Sequence, residues 1–140
     1  MAKLIDQLIP ARFLLTIGHF IALMMVIYTR EENIYAAYDN NPSSSVMDGD
    51  KRTMNDAIIV GAVCLGCDMW GLFQSSLFMN KVNMLQIILH FMGGVAVSTF
   101  IQNQWPYPYL WVLVALFNVP TALVEFSIIM AVNCFGIVII

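Results

Sequence analysis

Four long apolar runs dominate this chain and restrict what it can fold into. Their approximate bounds are 13–29, 57–79, 82–101 and 109–133. Each run is close to the ~20 residues that a transmembrane helix needs. Because a backbone in lipid must satisfy its own hydrogen bonds, such runs are predicted to be helices. We therefore expect residues 1–140 to form a single domain, an all-α integral membrane bundle of four transmembrane helices.

The composition excludes the main soluble classes. Hydrophobic residues make up 60% of the chain and charged residues 11%, against about 45–50% and about 25% in soluble domains. The formal net charge of −3 provides no basic surface for a nucleic acid. The three cysteines are an odd number and lie in apolar runs, which argues against a disulfide framework. We expect membrane lipid, and no nucleic acid, as a partner.

The connections between the runs carry most of the polar residues. Residues 30–56 hold six of the nine acidic residues and the turn-forming sequence NNPSSS, and we interpret this segment as one aqueous loop. The short connection before the last run is aromatic, and we expect its rings to anchor the protein at the bilayer interface. The four anchor residues are Trp105, Tyr107, Tyr109 and Trp111.

The orientation in the membrane depends on few charges. With cytoplasmic termini, the basic residues divide three against three between the two sides, so the positive-inside rule gives a tie. Lys3 and Arg12 precede the first run, whereas Arg30 is offset at once by Glu31 and Glu32. On that ground we expect both termini in the cytoplasm and the acidic loop on the opposite side.

Each apolar run contains one ionisable residue near its middle, namely His19, Asp68, His90 and Glu125. A charged side chain at the centre of a bilayer costs about 2.5–3.5 kcal/mol on insertion scales unless it has a partner. We therefore expect the four to turn inward and form one intramembrane polar cluster at mid-depth. The simplest role for it is structural, through hydrogen bonds between helices; a zinc or iron site and a proton or ion path are the alternatives.

Small residues follow the predicted polar faces. Gly61, Gly71 and Ser75 share a helix face with Asp68, and Gly94 lies near His90; we expect these positions to allow close helix packing. In the last run Pro120 removes a backbone donor and predicts a kink.

A Cys-x-x-Cys pair, Cys64 and Cys67, lies inside the second run. The spacing places two sulfurs one helical turn apart, as in a redox dithiol. Membrane quinone reductases with such a pair also use cysteines in an aqueous loop, and residues 30–56 contain none. Two buried cysteines acting as small hydrophobic residues are the simpler interpretation.

Several segments together resemble a known family. They are LIPARFL at 8–14, DMWG at 68–71 and VAVSTFI at 95–101, followed by Pro120 and Glu125. Their order and spacing are similar to those of the tetraspan transmembrane protein 107 family of the ciliary transition zone. The similarity covers nearly the whole chain except residues 30–56.

The resemblance implies a function without catalysis. It implies a multi-pass membrane component of the Meckel syndrome module, which supports assembly of the ciliary gate that controls entry of membrane proteins. The implied partners, in a hetero-oligomeric complex, are tectonics, meckelin, other small tetraspan proteins and B9-domain proteins, and no cofactor is implied. The alternative is a small membrane metalloenzyme or thiol-redox protein that uses the polar cluster or Cys64 and Cys67.

Overall fold

A computed structural model describes residues 2–74 and 79–135, and within them the chain forms helices and no strand. The helices are α1 (Ala2–Tyr35), α2 (Ser44–Gln74), α3 (Asn80–Gln102), α4 (Tyr109–Leu113) and α5 (Val119–Phe135). A π-helical turn, Val114–Asn118, joins α4 to α5, so the three pieces form one continuous span. Four stretches of the described residues are long and apolar enough to cross a membrane: Gln7–Tyr35, Ser44–Phe73, Asn80–Gln102 and Tyr109–Cys134.

The helices form a four-helix bundle in which neighbours along the chain run in opposite directions. Helix α1 packs against α2 and α3, α2 packs against α5, and α3 packs against the π-helical turn. Both the start of α1 and the end of α5 therefore lie at one end of the bundle, which we call the terminal end. The connection at 36–43 and the aromatic corner at 103–108 lie at the other end, the loop end.

The first aqueous connection is shorter than the sequence suggested. Helix α1 continues to Tyr35 and α2 begins at Ser44, so only 36–43 of the expected loop 30–56 lies between helices. Glu and Arg are good helix formers and continue the first helix past the apolar run. The Asn-Asn-Pro sequence at 40–42 lies in the connection itself, where proline restricts the residue before it to extended backbone, and α2 begins at Ser44.

The bundle interior divides into an apolar half and a polar half. Buried hydrophobic side chains such as Leu23, Met54, Ala57, Phe100 and Leu110 fill the half toward the loop end. Buried polar side chains, apart from Asn33, lie mainly in the half toward the terminal end, where Leu72 and Ile128 are also buried. The outer surface is apolar along its length, with Leu14, Val63 and Phe73 each more than 60% exposed, as expected of helices that face lipid or other membrane proteins.

The last span is irregular just before Pro120. A proline inside a helix cannot donate to the carbonyl four residues earlier, and its ring crowds that carbonyl. The π-helical turn Val114–Asn118 occupies this stretch, and such turns are a common way for a helix to accommodate an interruption. It directs Asn118 into the bundle, where this side chain is 1% exposed.

Candidate functional site: a buried polar cluster

Ten polar side chains fill the terminal half of the interior, and each is at most 1% exposed. We call this group the polar cluster. Its members are Arg12, Thr16, His19, Asp68, Asn83, Gln86, His90, Asn118, Thr121 and Glu125. Since every span contributes at least one member, the cluster links all four spans.

An ion pair between the first and last spans lies at the centre of this cluster. Nη2 of Arg12 is 2.5 Å from Oε1 of Glu125, and both side chains are fully buried. The other guanidinium arm donates to Oδ1 of Asn83 at 2.7 Å, and Nη2 also contacts the backbone carbonyl of Asp68 at 3.2 Å. The planar fork of arginine suits such a site because one side chain can reach partners in several directions. Arg12 therefore joins α1 to the other three spans.

A second chain of contacts runs from Asp68 through the two histidines. Oδ2 of Asp68 accepts the hydroxyl of Thr121 at 2.7 Å and lies 3.5 Å from Nε2 of His90. Nδ1 of His90 is 3.4 Å from Nδ1 of His19. The approach of His90 to Asp68 is a close contact and not a hydrogen bond, because Nε2 of His90 has no hydrogen-bond partner. Nε2 of His19, at the end of this chain, has no hydrogen-bond partner.

Amide side chains complete the cluster around the irregular last span. Nε2 of Gln86 donates to the carbonyl of Thr121 at 3.2 Å and approaches Oε1 of Glu125 at 3.3 Å. Nδ2 of Asn118 donates to the carbonyl of Gly61 at 3.2 Å. These bonds fix the last span against α2 and α3 at the place where its own backbone ladder is interrupted.

Glycines make room for the buried side chains. A Cβ at Gly71 would overlap the carboxylate of Glu125, and one at Gly93 would overlap the ring of His19. At Gly61 a Cβ would come within 2.8 Å of Leu23. At Gly94 the nearest atom, Cα of His19, would be at an ordinary 3.6 Å, so Gly94 faces the backbone of α1, whereas Gly93 makes room for the ring of His19. Ser75 lies outside the described residues.

The four ionisable residues named from the sequence are all buried, and their contacts divide into two connected parts. His19, Asp68 and His90 are in sequential contact. Glu125 instead pairs with Arg12, which is about 10 Å nearer the terminal end than His19 by helical rise. The two parts meet at Asp68, whose backbone carbonyl contacts Arg12.

Arg12 is the main residue that the sequence reasoning missed, because it was counted as a flanking charge at the membrane surface. Because Arg12 is buried, the expected orientation rests on Lys3 and on the two acidic residues that follow Arg30. The sequence does contain a pattern that indicates an inward-facing Arg12. Arg12, Thr16 and His19 lie at i, i+4 and i+7, and therefore on one helix face. In the third span Asn83, Gln86 and His90 lie at i, i+3 and i+7, and they also share a face.

The aromatic corner is attached to α1 at the loop end. The fully buried Asn33 donates to the carbonyl of Trp105 at 2.8 Å, and its own backbone carbonyl accepts the amide of Tyr107 at 3.1 Å. The rings of Trp105 and Tyr109 meet edge to face, with centroids 6.1 Å apart. Tyr109 is 54% exposed and Trp111 37%, so both remain available to an interface.

Two tyrosines at this end have raised pKa values. Burial raises the pKa of Tyr107 to about 12. The pKa of Tyr38 is raised because its hydroxyl donates to the carboxylate of Asp50 at 2.8 Å. Both phenols are thus kept protonated, and the bond from Tyr38 ties the connection at 36–43 to the start of α2.

The cluster is built to hold helices together. Within residues 2–74 and 79–135, no group of three or more His, Cys, Asp or Glu side chains is arranged to hold a metal ion. Cys64 is half-buried and Cys67 exposed, and both are free thiols. The arrangement defines a class: a multi-pass membrane protein whose four spans are joined by a buried network of polar side chains.

Comparison with known proteins identifies the family within that class. The family model of transmembrane protein 107, described as a transmembrane protein, matches residues 8–129. The chain therefore belongs to the transmembrane protein 107 family.

Individual relatives are distant but matched along almost their full length. The chain is 27% identical over 134 residues to transmembrane protein 107 of Rattus norvegicus, covering 91% of this chain and 92% of the relative. It is 23% identical over 128 residues to the protein of that name from Danio rerio, covering 91% and 95%. These relatives are named as transmembrane proteins and not as enzymes. No solved structure matches the chain.

Proposed function

We propose that this protein is a non-enzymatic, multi-pass membrane component of the ciliary transition zone. In this role it supports assembly of the Meckel syndrome module and the gate that controls entry of membrane proteins into the cilium. Its partners are tectonics, meckelin, other small tetraspan proteins and B9-domain proteins, in a hetero-oligomeric complex. Membership of the transmembrane protein 107 family is the observation that carries the proposal.

The form of the molecule supports a role in assembly. Most polar side chains of the cluster contact another span, and Arg12 by itself reaches Asn83, Asp68 and Glu125. The connections between helices at 36–43 and 103–108 are short, so little irregular chain is available as a docking surface. Association with partners therefore runs mainly through the membrane-embedded outer faces, where packing and hydrogen bonds replace the hydrophobic effect.

The test uses the protein in ciliated cells from which the endogenous copy has been removed. A tagged wild-type protein should concentrate at the base of the cilium, and its loss should lower the amount of tectonics and meckelin there. Re-expression should restore both. Uniform distribution over the cell membrane, together with unchanged tectonics at the ciliary base, would contradict the proposal.

The alternative, a metalloenzyme or thiol-redox protein, is not favoured by the described residues. Metal analysis separates the two classes. A stoichiometric metal in purified wild-type protein, lost when His19 and His90 are both replaced, would favour the enzyme.

A further inference from the structure

A groove of about 340 Å³ lies at the aromatic corner, where it is lined by Trp105, Pro106 and Tyr109. The two rings meet edge to face at 63°, with centroids 6.1 Å apart, so they form two walls of an angle. Tyr109 is 54% exposed. The corner joins an apolar run that ends at 101 to one that begins at 109. The groove therefore lies at the boundary between hydrocarbon and water, at the depth of the lipid headgroups.

The backbone groups of the corner are already hydrogen-bonded. Each carbonyl from 105 to 108 accepts one bond, that of Trp105 from the side chain of Asn33 and the other three from the first amides of α4. The amides of Trp105 and Tyr107 donate to carbonyls of α3 and α1, and a proline has no amide hydrogen. A primary ammonium or a guanidinium gives up hydrogen bonds to water when it binds and needs acceptors in exchange. This surface has few acceptors for such a group and presents mainly the faces of rings.

The charges around the groove favour a cation. The segment 30–56 holds six acidic residues and three basic ones, and the corner itself contains no charged residue. On one side, the exposed carboxylate of Glu32 accepts the side chain of Gln104 at 3.1 Å. On the other side, Asp50 lies close to Tyr107. Two carboxylates therefore flank the corner, and a positive group bound there would have opposite charges nearby.

A quaternary ammonium is the kind of cation that matches this surface. It carries a full positive charge but has no N–H group, so it needs no acceptor, and its methyl groups pack against ring faces through cation–π attraction. In a bilayer, phosphatidylcholine carries this group at the depth of the corner. Phosphatidylethanolamine carries a primary ammonium at the same depth, and its N–H groups require acceptors.

We propose that the groove at the aromatic corner binds the choline headgroup of a phosphatidylcholine molecule. The trimethylammonium group lies against the rings of Trp105 and Tyr109, and the carboxylates of Glu32 and Asp50 balance its charge. This site goes beyond the proposed function and does not depend on it, because it can be tested on the purified protein without any protein partner.

Lipid competition on the purified full-length protein tests the proposal. Delipidated protein in detergent is mixed with equal amounts of phosphatidylcholine and phosphatidylethanolamine that have the same acyl chains, and native mass spectrometry identifies the first lipid bound. The wild type should prefer phosphatidylcholine about fivefold, as expected for a cation–π contact at a partly exposed site. Equal binding of the two lipids, or a preference for phosphatidylethanolamine, would overturn the proposal. So would equal competition by free phosphocholine, which would indicate a site for a soluble ligand.

Variants separate recognition in the groove from a general aromatic belt. Tyr109→Leu removes an exposed ring face and should reduce the preference for phosphatidylcholine to about twofold or less, whereas Tyr109→Phe keeps the ring and should retain it. Trp111→Leu is the matched control, because this ring is 37% exposed at the same end but does not line the groove. Its preference should equal that of the wild type. If Trp111→Leu loses as much preference as Tyr109→Leu, a general belt holds the headgroup and the proposal is wrong.

A second variant tests the charge without changing a ring. Glu32→Gln removes the carboxylate but keeps an oxygen that can accept the side chain of Gln104. Competition between phosphatidylcholine and the anionic phosphatidylglycerol is the readout. Glu32→Gln should lower the preference for phosphatidylcholine over phosphatidylglycerol about twofold, in line with an exposed charge, and leave the preference over phosphatidylethanolamine unchanged. An unaltered preference over phosphatidylglycerol would contradict the charge complementarity on which the proposal rests.

Discussion

The buried ion pair between Arg12 and Glu125 gives the most demanding test of the structure. Replacing Arg12 by Met removes the positive charge and leaves the carboxylate of Glu125 fully buried beside Gly71. Removing one partner of a buried pair costs about 3–5 kcal/mol. The substitution also takes a donor from Asn83 and from the carbonyl of Asp68. We therefore expect the free energy of unfolding to fall by at least about 3 kcal/mol.

A double-mutant cycle separates the ion pair from the rest of the change. Glu125→Leu alone should also cost about 3–5 kcal/mol, because it leaves Arg12 charged in the interior. When both are replaced, no unpaired charge remains, and the cost should fall to the one or two lost hydrogen bonds, about 1–3 kcal/mol. The coupling energy between the two sites should thus reach about 3 kcal/mol or more.

An exposed ion pair of the same length serves as the control. Nζ of Lys51 lies 2.5 Å from Oε1 of Glu31, but the two side chains are 29% and 64% exposed. Exposed pairs contribute about 0–1 kcal/mol, so Lys51→Met should change stability by no more than that. Unfolding by sodium dodecyl sulfate in mixed micelles, followed by helical circular dichroism, measures all the variants. The reasoning is refuted if Arg12→Met is as stable as Lys51→Met, or if the double variant loses the sum of the two single losses.

Three further predictions concern packing, the loop end and orientation. Gly71→Ala should destabilise the bundle by about 1–3 kcal/mol through overpacking, measured by the same unfolding assay, while Gly66→Ala should be neutral or stabilising because its Cβ has free space. Asn33→Ala should release the aromatic corner and shift the fluorescence of Trp105 in a variant that keeps only this tryptophan; an unchanged spectrum would show that the corner does not depend on Asn33. A protease site inserted at Asn41 should resist digestion from the cytoplasmic side of sealed vesicles, and cleavage there would reverse the expected orientation.

The apolar runs made the four-helix membrane bundle predictable, and the family comparison agrees with the identification from sequence. The inward orientation of the ionisable residues was also predictable, because lipid offers no partner for a charged side chain. His19, Asp68 and His90 are accordingly buried and in contact. Which side chain meets which was beyond the sequence, since it depends on the rotation and offset of each helix within the bundle.

The predictions for Arg12 and for the first connection differ from the structure for one reason. Hydropathy locates the middle of a transmembrane helix well but its ends poorly. The position of Arg12 before the apolar run predicts a place at the membrane surface, although its helix begins ten residues earlier, at Ala2. The acidic composition of 30–56 predicts one loop, although both neighbouring helices extend into this segment. Charged residues are compatible with a helix that leaves the bilayer, so polarity alone does not mark where the helix ends.

The two halves of the interior explain how one arrangement of helices is selected. An apolar side chain has nearly the same free energy in lipid as in the bundle core. Packing alone therefore discriminates weakly between helix rotations. Buried polar groups discriminate strongly, because a wrong rotation would turn Arg12, Asp68 or Glu125 toward hydrocarbon. The polar cluster therefore fixes the rotation and offset of every span at the terminal end. At the loop end, close packing around Phe100 and the bonds of Asn33 to the aromatic corner hold the same arrangement. It follows that losing the polar cluster should scramble helix register before it prevents insertion, whereas losing Asn33 should loosen only one end.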